Sequence, residues 1–175
     1  FNYAKRIPGK EEFYETLRYY QRQIELLEID LKLGTRVDAD SLKAQGFDDV
    51  VIATGVKPRT PAIEGIDHPK VLGYLDVLRH NKPVGDTVAV IGAGGIGFDV
   101  SEFLTHDFSH HPEGEQVSVA DWQAEWGVNP DFDGPGGLAE RQPTPSPRKI
   151  YLMQRKTGKV GGGLGKTSGW VHRNS

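Results

Sequence analysis

Residues 87–104 read TVAVIGAGGIGFDVSEFL. The apolar run Val88–Ile91 is too short for a helix and suits a buried strand. It leads into Gly92-Ala93-Gly94-Gly95-Ile96-Gly97, a loop of the form GxGxxG. A helix is predicted from about Gly95, with Ile96, Val100, Phe103 and Leu104 on its inner side. In such a strand–loop–helix unit each glycine has a task. Gly92 allows the tight turn, Gly94 lets the backbone approach a pyrophosphate, and Gly97 lets helix and strand pack closely. Gly95 and Ile96 open the helix, whose unpaired N–H groups and partial positive charge suit phosphates. The context raises this loop above an ordinary glycine turn, and it predicts a site for a nicotinamide dinucleotide.

The end of the next strand distinguishes NAD from NADP. A carboxylate there accepts from the ribose 2′-hydroxyl, whereas a cation suits the 2′-phosphate. The next apolar run, Ile150–Met153, is followed by Gln154, Arg155 and Lys156. Arg155 can hold a phosphate through a forked pair of hydrogen bonds, and Lys156 can add a point charge. NADPH is therefore the expected cofactor. The spacing between glycine loop and strand end exceeds the usual value of about 20 residues, because a segment rich in Pro, Gly, Asp and His, 105–147, intervenes.

Working outward, residues 10–27 predict an amphipathic helix, with Phe13, Leu17, Tyr20, Ile24 and Leu27 on one face. Residues 29–33 alternate apolar and polar as a half-buried strand would, 41–45 allow a helical turn, and Val50–Ala53 reads as a buried strand. The Pro- and Gly-rich segment 54–69 reads as a linker. Residues 75–79 predict a short helix and 83–86 a turn. Inside the 105–147 segment only 118–126 looks helical, with Val119, Trp122 and Trp126 on one face and the two tryptophans as anchors for the insertion. Strands alternating with helices predict an α/β class with a mainly parallel sheet.

Other features carry less. Gly161-Gly162-Gly163-Leu164-Gly165-Lys166-Thr167 approaches a Walker A loop, but the required first glycine falls on Val160. A flexible glycine loop beside the cofactor is the expectation. His106, His110 and His111 are expected at the surface rather than on a metal. Asp99 and Glu102, on the helix after the glycine loop, are expected on a solvated face or as helix-capping charges.

Composition limits the function classes. Apolar residues at 37% with 26% charged residues exclude a disordered chain. The net charge of −3 gives no electrostatic reason to expect nucleic acid or an anionic membrane as partner. No stretch approaches a membrane span. With no cysteine, the 175 residues hold neither a disulfide, a thiol nucleophile nor a thiolate-bound cluster. A cytoplasmic location fits best. The chain opens on Phe1 and stops just after Trp170, where a new element is expected, so it is expected to be a piece of a larger protein.

Ala53-Thr54-Gly55, followed by Pro58, Pro61, Ile63 and Gly65, resembles the second fingerprint of FAD- and NAD(P)-dependent flavoprotein reductases. Residues 8–13, 69–72, 92–99 and 165–170 look like the bacterial NADPH-dependent 2,4-dienoyl-CoA reductases. The resemblance implies a Rossmann-like FAD/NAD(P)-binding fold, incomplete here, with residues 1–66 a remnant of the FAD domain. Residues 67–175 would be an incomplete NADP domain with an insertion at 105–147. It implies a cofactor site at Gly92, Gly94, Gly95, Ile96, Gly97, Arg155 and Lys156, and a partial FAD site at Thr54 and Gly55. It also implies a parent enzyme with an FMN-binding barrel and a 4Fe–4S cluster outside this chain, passing hydride from NADPH to FAD and electrons on to a dienoyl-CoA of fatty-acid oxidation. The chain lacks the barrel, the cluster cysteines and the first FAD glycine motif, so no catalytic residue, no bound flavin and no activity are expected of it alone. The remainder of the parent is its expected partner. A related flavoprotein of enoate reductase or amine dehydrogenase type, or a non-catalytic dinucleotide-binding or docking module, stays open.

Overall fold

Thr87–Ile91 forms a strand that pairs in parallel with Lys149–Met153, in the register Thr87↔Lys149 to Ile91↔Met153, in a computed structural model that describes residues 1–108, 117–167 and 169–173. In chain order the elements are α1 (Glu12–Leu26), α2 (Ala39–Ala44), α3 (Tyr74–Leu78), β1 (Thr87–Ile91), α4 (Gly95–Thr105), α5 (Val119–Trp126) and β2 (Lys149–Met153). The chain divides into two units, Phe1–Tyr19 with Leu72–Ser175, and Tyr20–Val71. The parallel pair β1–β2 joined through α4 makes a Rossmann-like α/β unit.

In the first unit the core is Ile7, Val77, Leu78, Val100 and Leu104, with Tyr3, Val88, Phe103 and Ile150 packed against it. The apolar positions of α4 meet the sheet through Val88 and Ile150, while α3 supplies Val77 and Leu78. Gly73 opens α3, its N–H donating to the Asp76 carboxylate at 2.9 Å, and Lys82 pairs with Asp76 at 2.7 Å. Both strands alternate exposed and half-buried residues along their length. The expectation of strands buried on both faces is corrected: α4 covers one face, and Ile91, Tyr151 and Met153 are exposed on the other. Ile96, expected on the inner side of α4, is likewise exposed: its spacing puts it on the face of Val100 and Leu104, but it stands in the first turn of the helix, at the edge of the core.

The segment between α4 and β2 starts and ends beside the same sheet, and the Arg148 guanidinium donates to the Leu104 carbonyl at 3.1 Å. Ser118 caps α5 by accepting from Asp121 N–H, and Gly127 ends it in the left-handed conformation (φ +67°). A bridge between Val128 and Leu138 closes the following loop. Trp122 stacks on Trp126, which meets Trp170 edge-on at 6.0 Å and takes the Arg141 guanidinium over its ring. Trp126 is half-buried; Trp122 is exposed.

In the second unit α2 is started by a reciprocal cap, Asp38 accepting from Ser41 N–H at 2.9 Å while Asp38 N–H donates to the Ser41 hydroxyl. No residue from Tyr20 to Val71 is buried. The strands expected at 29–33 and 50–53 do not form. A strand exists only through its ladder, and among the described residues no strand pairs with these runs; the Ile29 N–H instead donates back to the Ile24 carbonyl of α1 at 3.0 Å. Leu33, Val51 and Ile52 are more than three-quarters exposed.

Candidate functional site

β1 delivers the glycine loop to the C-terminal edge of the sheet. The ladder continues one residue past the strand, where Gly92 N–H donates to the Met153 carbonyl at 2.8 Å. Gly92 then turns with φ +117°, a conformation open to glycine alone. Gly94 is extended and precedes α4, and Phe98 N–H makes the first helical bond, to the Gly94 carbonyl. The N–H groups of Gly95, Ile96 and Gly97 therefore precede any intrahelical acceptor. A Cβ on Gly97 would lie 1.8 Å from the Gly92 carbonyl oxygen, so the loop and the first turn of α4 are in direct backbone contact. By contrast, nothing lies within 4 Å of a Cβ on Gly94 or Gly95. The loop is thus tight on its inner side and open on its outer side, the shape that a phosphate approaching bare backbone requires.

Arg155 and Lys156 are exposed in the turn that follows β2. The Gln154 amide closes this turn by donating to the carbonyls of Lys156 and Gly158 at 3.0 and 3.2 Å. Since Gly92 and Met153 are hydrogen-bonded, the turn leaves the same edge of the sheet as the glycine loop. The structure so brings Gly92, Gly94, Gly95, Ile96 and Gly97 together with Arg155 and Lys156. Thr54 and Gly55 belong to the other unit, in an exposed irregular segment where Gly55 has φ +75°. The residues present fit a dinucleotide diphosphate at the glycine loop. They supply at most a fragment of a flavin site, and without cysteine they cannot ligate an iron–sulfur cluster.

The Walker-like loop is not a free phosphate cradle. Gly161 is buried with φ +73°, and a Cβ on it would lie 2.9 Å from the Phe98 ring. This loop packs on α4. His106 is half-buried against Phe108 at 4.9 Å rather than at the surface, because the chain folds the two rings together after α4. His110 and His111 lie outside the described residues. No group of three His, Asp or Glu suited to a metal occurs among the described residues.

Asp99 and Glu102 depart from the expectation of a solvated face. Lys10 Nζ bonds Asp99 Oδ1 at 2.5 Å, and His172 sits over both carboxylates. His172 Nδ1 is 3.2 Å from Glu102 Oε2, and Nε2 is 3.9 Å from Asp99 Oδ1. All four side chains are less than a third exposed. Burial pushes the Glu102 carboxyl up to about 7, with Lys10 opposing and Asp99, Glu125 and Glu11 adding to the rise. Sequence spacing showed only the i, i+3 relation of Asp99 and Glu102; nothing local pointed to Lys10 or His172 as their partners.

A family model described as pyridine nucleotide-disulphide oxidoreductase matches residues 6–121. A bilirubin reductase of Mediterraneibacter gnavus is 35% identical over 124 residues, which is 71% of this chain and 18% of that protein. A cinnamate reductase of Clostridium sporogenes is 32% identical over 122 residues, 67% of this chain and 17% of that protein. A solved structure of 2-naphthoyl-CoA reductase in complex with 2-naphthoyl-CoA is 41% identical with a TM-score of 0.55, covering 59% of this chain and 16% of that one. The chain spans under a fifth of the length of these relatives. No helix among the described residues is long and apolar enough to cross a membrane.

Proposed function

The chain belongs to the pyridine nucleotide-disulphide oxidoreductase family, and from that premise we propose that it is the NADPH-binding part of a flavin-dependent reductase of the enoate or acyl-CoA type. Residues 67–175 are read as an incomplete NADP domain and 1–66 as a remnant of the FAD domain. The observation that carries this reading is the pairing of an open glycine loop with Arg155 at one edge of the β1–β2 sheet. NADPH bound there would supply a hydride to a flavin. The chain's own residues do the binding. The N–H groups that open α4 receive the diphosphate, Gly92 and Gly97 keep the loop shut behind it, and Arg155 with Lys156 meets the 2′-phosphate. FAD, FMN and a 4Fe–4S cluster are assigned to the parent protein, with the remainder of that chain as partner.

For the substrate, reductases named for bilirubin, cinnamate and 2-naphthoyl-CoA support reduction of a conjugated carbon–carbon bond. Within that class the sequence blocks at 8–13, 69–72, 92–99 and 165–170 favour a 2,4-dienoyl-CoA. A free enoate is the second reading, favoured by the cinnamate reductase likeness.

The test of the cofactor reading is calorimetric titration of the chain with 2′,5′-ADP and with 5′-AMP, which differ by the 2′-phosphate alone. A charge-assisted contact to phosphate is worth about 1.5–3 kcal/mol, roughly tenfold to a hundredfold in affinity. The 2′,5′-ADP should bind tighter by that factor, Arg155→Ala should remove most of the difference, and Lys156→Ala should remove less. Equal affinities in the unaltered chain would overturn the NADP assignment. For the substrate, turnover of a 2,4-dienoyl-CoA against cinnamate by the complete parent protein separates the two readings.

A further inference from the structure

The side chains of Lys10, Asp99, Glu102 and His172 lie outside the set proposed to hold the nucleotide, yet they converge on the helix that starts at the glycine loop. They come from three places in the chain: the segment before α1, α4 itself, and the turn Val171–Arg173. His172 Nδ1 and Glu102 Oε2 stand at 3.2 Å. At that separation the contact needs a proton between the two atoms, carried by the imidazole or by the carboxyl. Lys10 neutralises Asp99, one helical turn beyond Gly95. The groups facing Glu102 are Lys10 and Glu11 from the segment before α1, Asp99 on its own helix, Glu125 on α5, and His172. Carboxylates outnumber cations there, so the charge beside α4 is already negative and loss of one proton deepens it.

We propose that Lys10, Asp99, Glu102 and His172 form a proton-dependent clasp, whose deprotonation loosens the Val171–Arg173 turn from α4 and weakens diphosphate binding at the glycine loop. The second half rests on the reading of that loop as a phosphate site. Asp99 and Glu102 stand four and seven residues beyond Gly95, roughly 6 and 10 Å along the helix axis. A new negative charge there offsets part of the helix N-terminal field on which an anion depends. His172 and Lys10 are positioning residues, since they act on the loop through α4 and do not touch the nucleotide.

The sign follows from Glu102. Its carboxyl rises from an ordinary value near 4.5 to about 7 in the fold, so the folded chain holds a proton that the unfolded chain has released. Stability from this source is complete below the ordinary carboxylate range, and is lost as pH rises to about 7. The probe is ADP-ribose, whose diphosphate has no second ionisation here, unlike a phosphate monoester with one near about 6. Titrations of the full chain at about pH 6 and about pH 8 should show affinity falling roughly twofold to fivefold. Glu102→Gln should flatten that dependence. Lys10→Met removes the charge that holds the Glu102 proton back, so it should move the midpoint to higher pH. The side-chain NMR signal of Glu102 in the unaltered chain should titrate at about 7, above the ordinary carboxylate range, whichever variants fold. ADP-ribose binding equally at both pH values would overturn the clasp and leave the phosphate reading standing. No binding at either pH, with Glu102 still titrating at about 7, would overturn both the coupling and the phosphate reading.

Discussion

Gly97 and Gly94 are identical side chains with opposite reasons to be glycine. A methyl group on Gly97 would meet the Gly92 carbonyl oxygen at 1.8 Å, a backbone atom that cannot rotate away. Gly97→Ala should therefore cost at least about 1–3 kcal/mol, as overpacking does, read as a lowered denaturant midpoint. Gly94 has φ −93° and open space where a methyl would project. Gly94→Ala should hold stability within about 0.5 kcal/mol while weakening 2′,5′-ADP binding, because the methyl occupies the approach to bare backbone. Equal stability losses in both variants would mean that Gly94 serves the fold and not a ligand. These glycines were legible in the sequence, because their spacing and the flanking strand and helix are all local. The clasp was not. Lys10 and Asp99 stand 89 residues apart, His172 lies far beyond both, and only the folded chain brings His172 Nδ1 and Glu102 Oε2 to 3.2 Å.

At the scale of elements, β1, α4 and β2 were readable because each carries its own pattern: a short apolar run, a glycine loop opening a helix, and a second apolar run ending in cations. The runs at 29–33 and 50–53 carry similar patterns and form no strands. Alternation specifies which faces a strand would present, while the strand itself requires a neighbour to bond. The 105–147 segment was legible as an interruption, but its attachment was not. Trp126, at the end of α5, joins Trp122, Arg141 and Trp170, so one side chain links the insertion to the segment that carries His172. An aromatic pair contributes about 0.5–1.5 kcal/mol beyond its buried area, and Trp126 is half-buried. Trp126→Ala should therefore open this region locally, with faster proteolysis within residues 127–147 and little change in exchange at β1. Trp126→Phe should keep most of the protection. Loss of β1 protection in the alanine variant would show that the insertion is part of the core and not an appendage.

Over the whole molecule, burial is confined to one unit. Ile7, Val77, Leu78, Val100 and Leu104 form a core around which β1, β2, α3 and α4 assemble, whereas residues 20–71 bury no side chain at all. Local opening free energy follows buried apolar contact and the number of backbone hydrogen bonds shielded from water. Amides of β1, β2 and α4 should therefore be the slowest to exchange, and those at 29–33 and 47–60 should exchange as fast as an unfolded chain. Between them should stand α2, whose Asp38–Ser41 cap satisfies its first turn but whose six residues are too few to persist without packing. The difference between 88–91 and 50–53 should reach roughly a hundredfold or more in exchange rate. Val51, Ile52 and Val56 are each more than 80% exposed, and that apolar surface in water favours any partner that pairs with the run and covers it. Hydrogen exchange read by mass spectrometry measures both points at once. Rapid exchange at 50–53 in the chain alone, slowed within the complete parent protein, is the outcome expected if residues 1–66 belong to a larger FAD domain. Protection at 50–53 equal to that at 88–91 in the chain alone would mean that the second unit folds on its own, and the assignment of a remnant would fall.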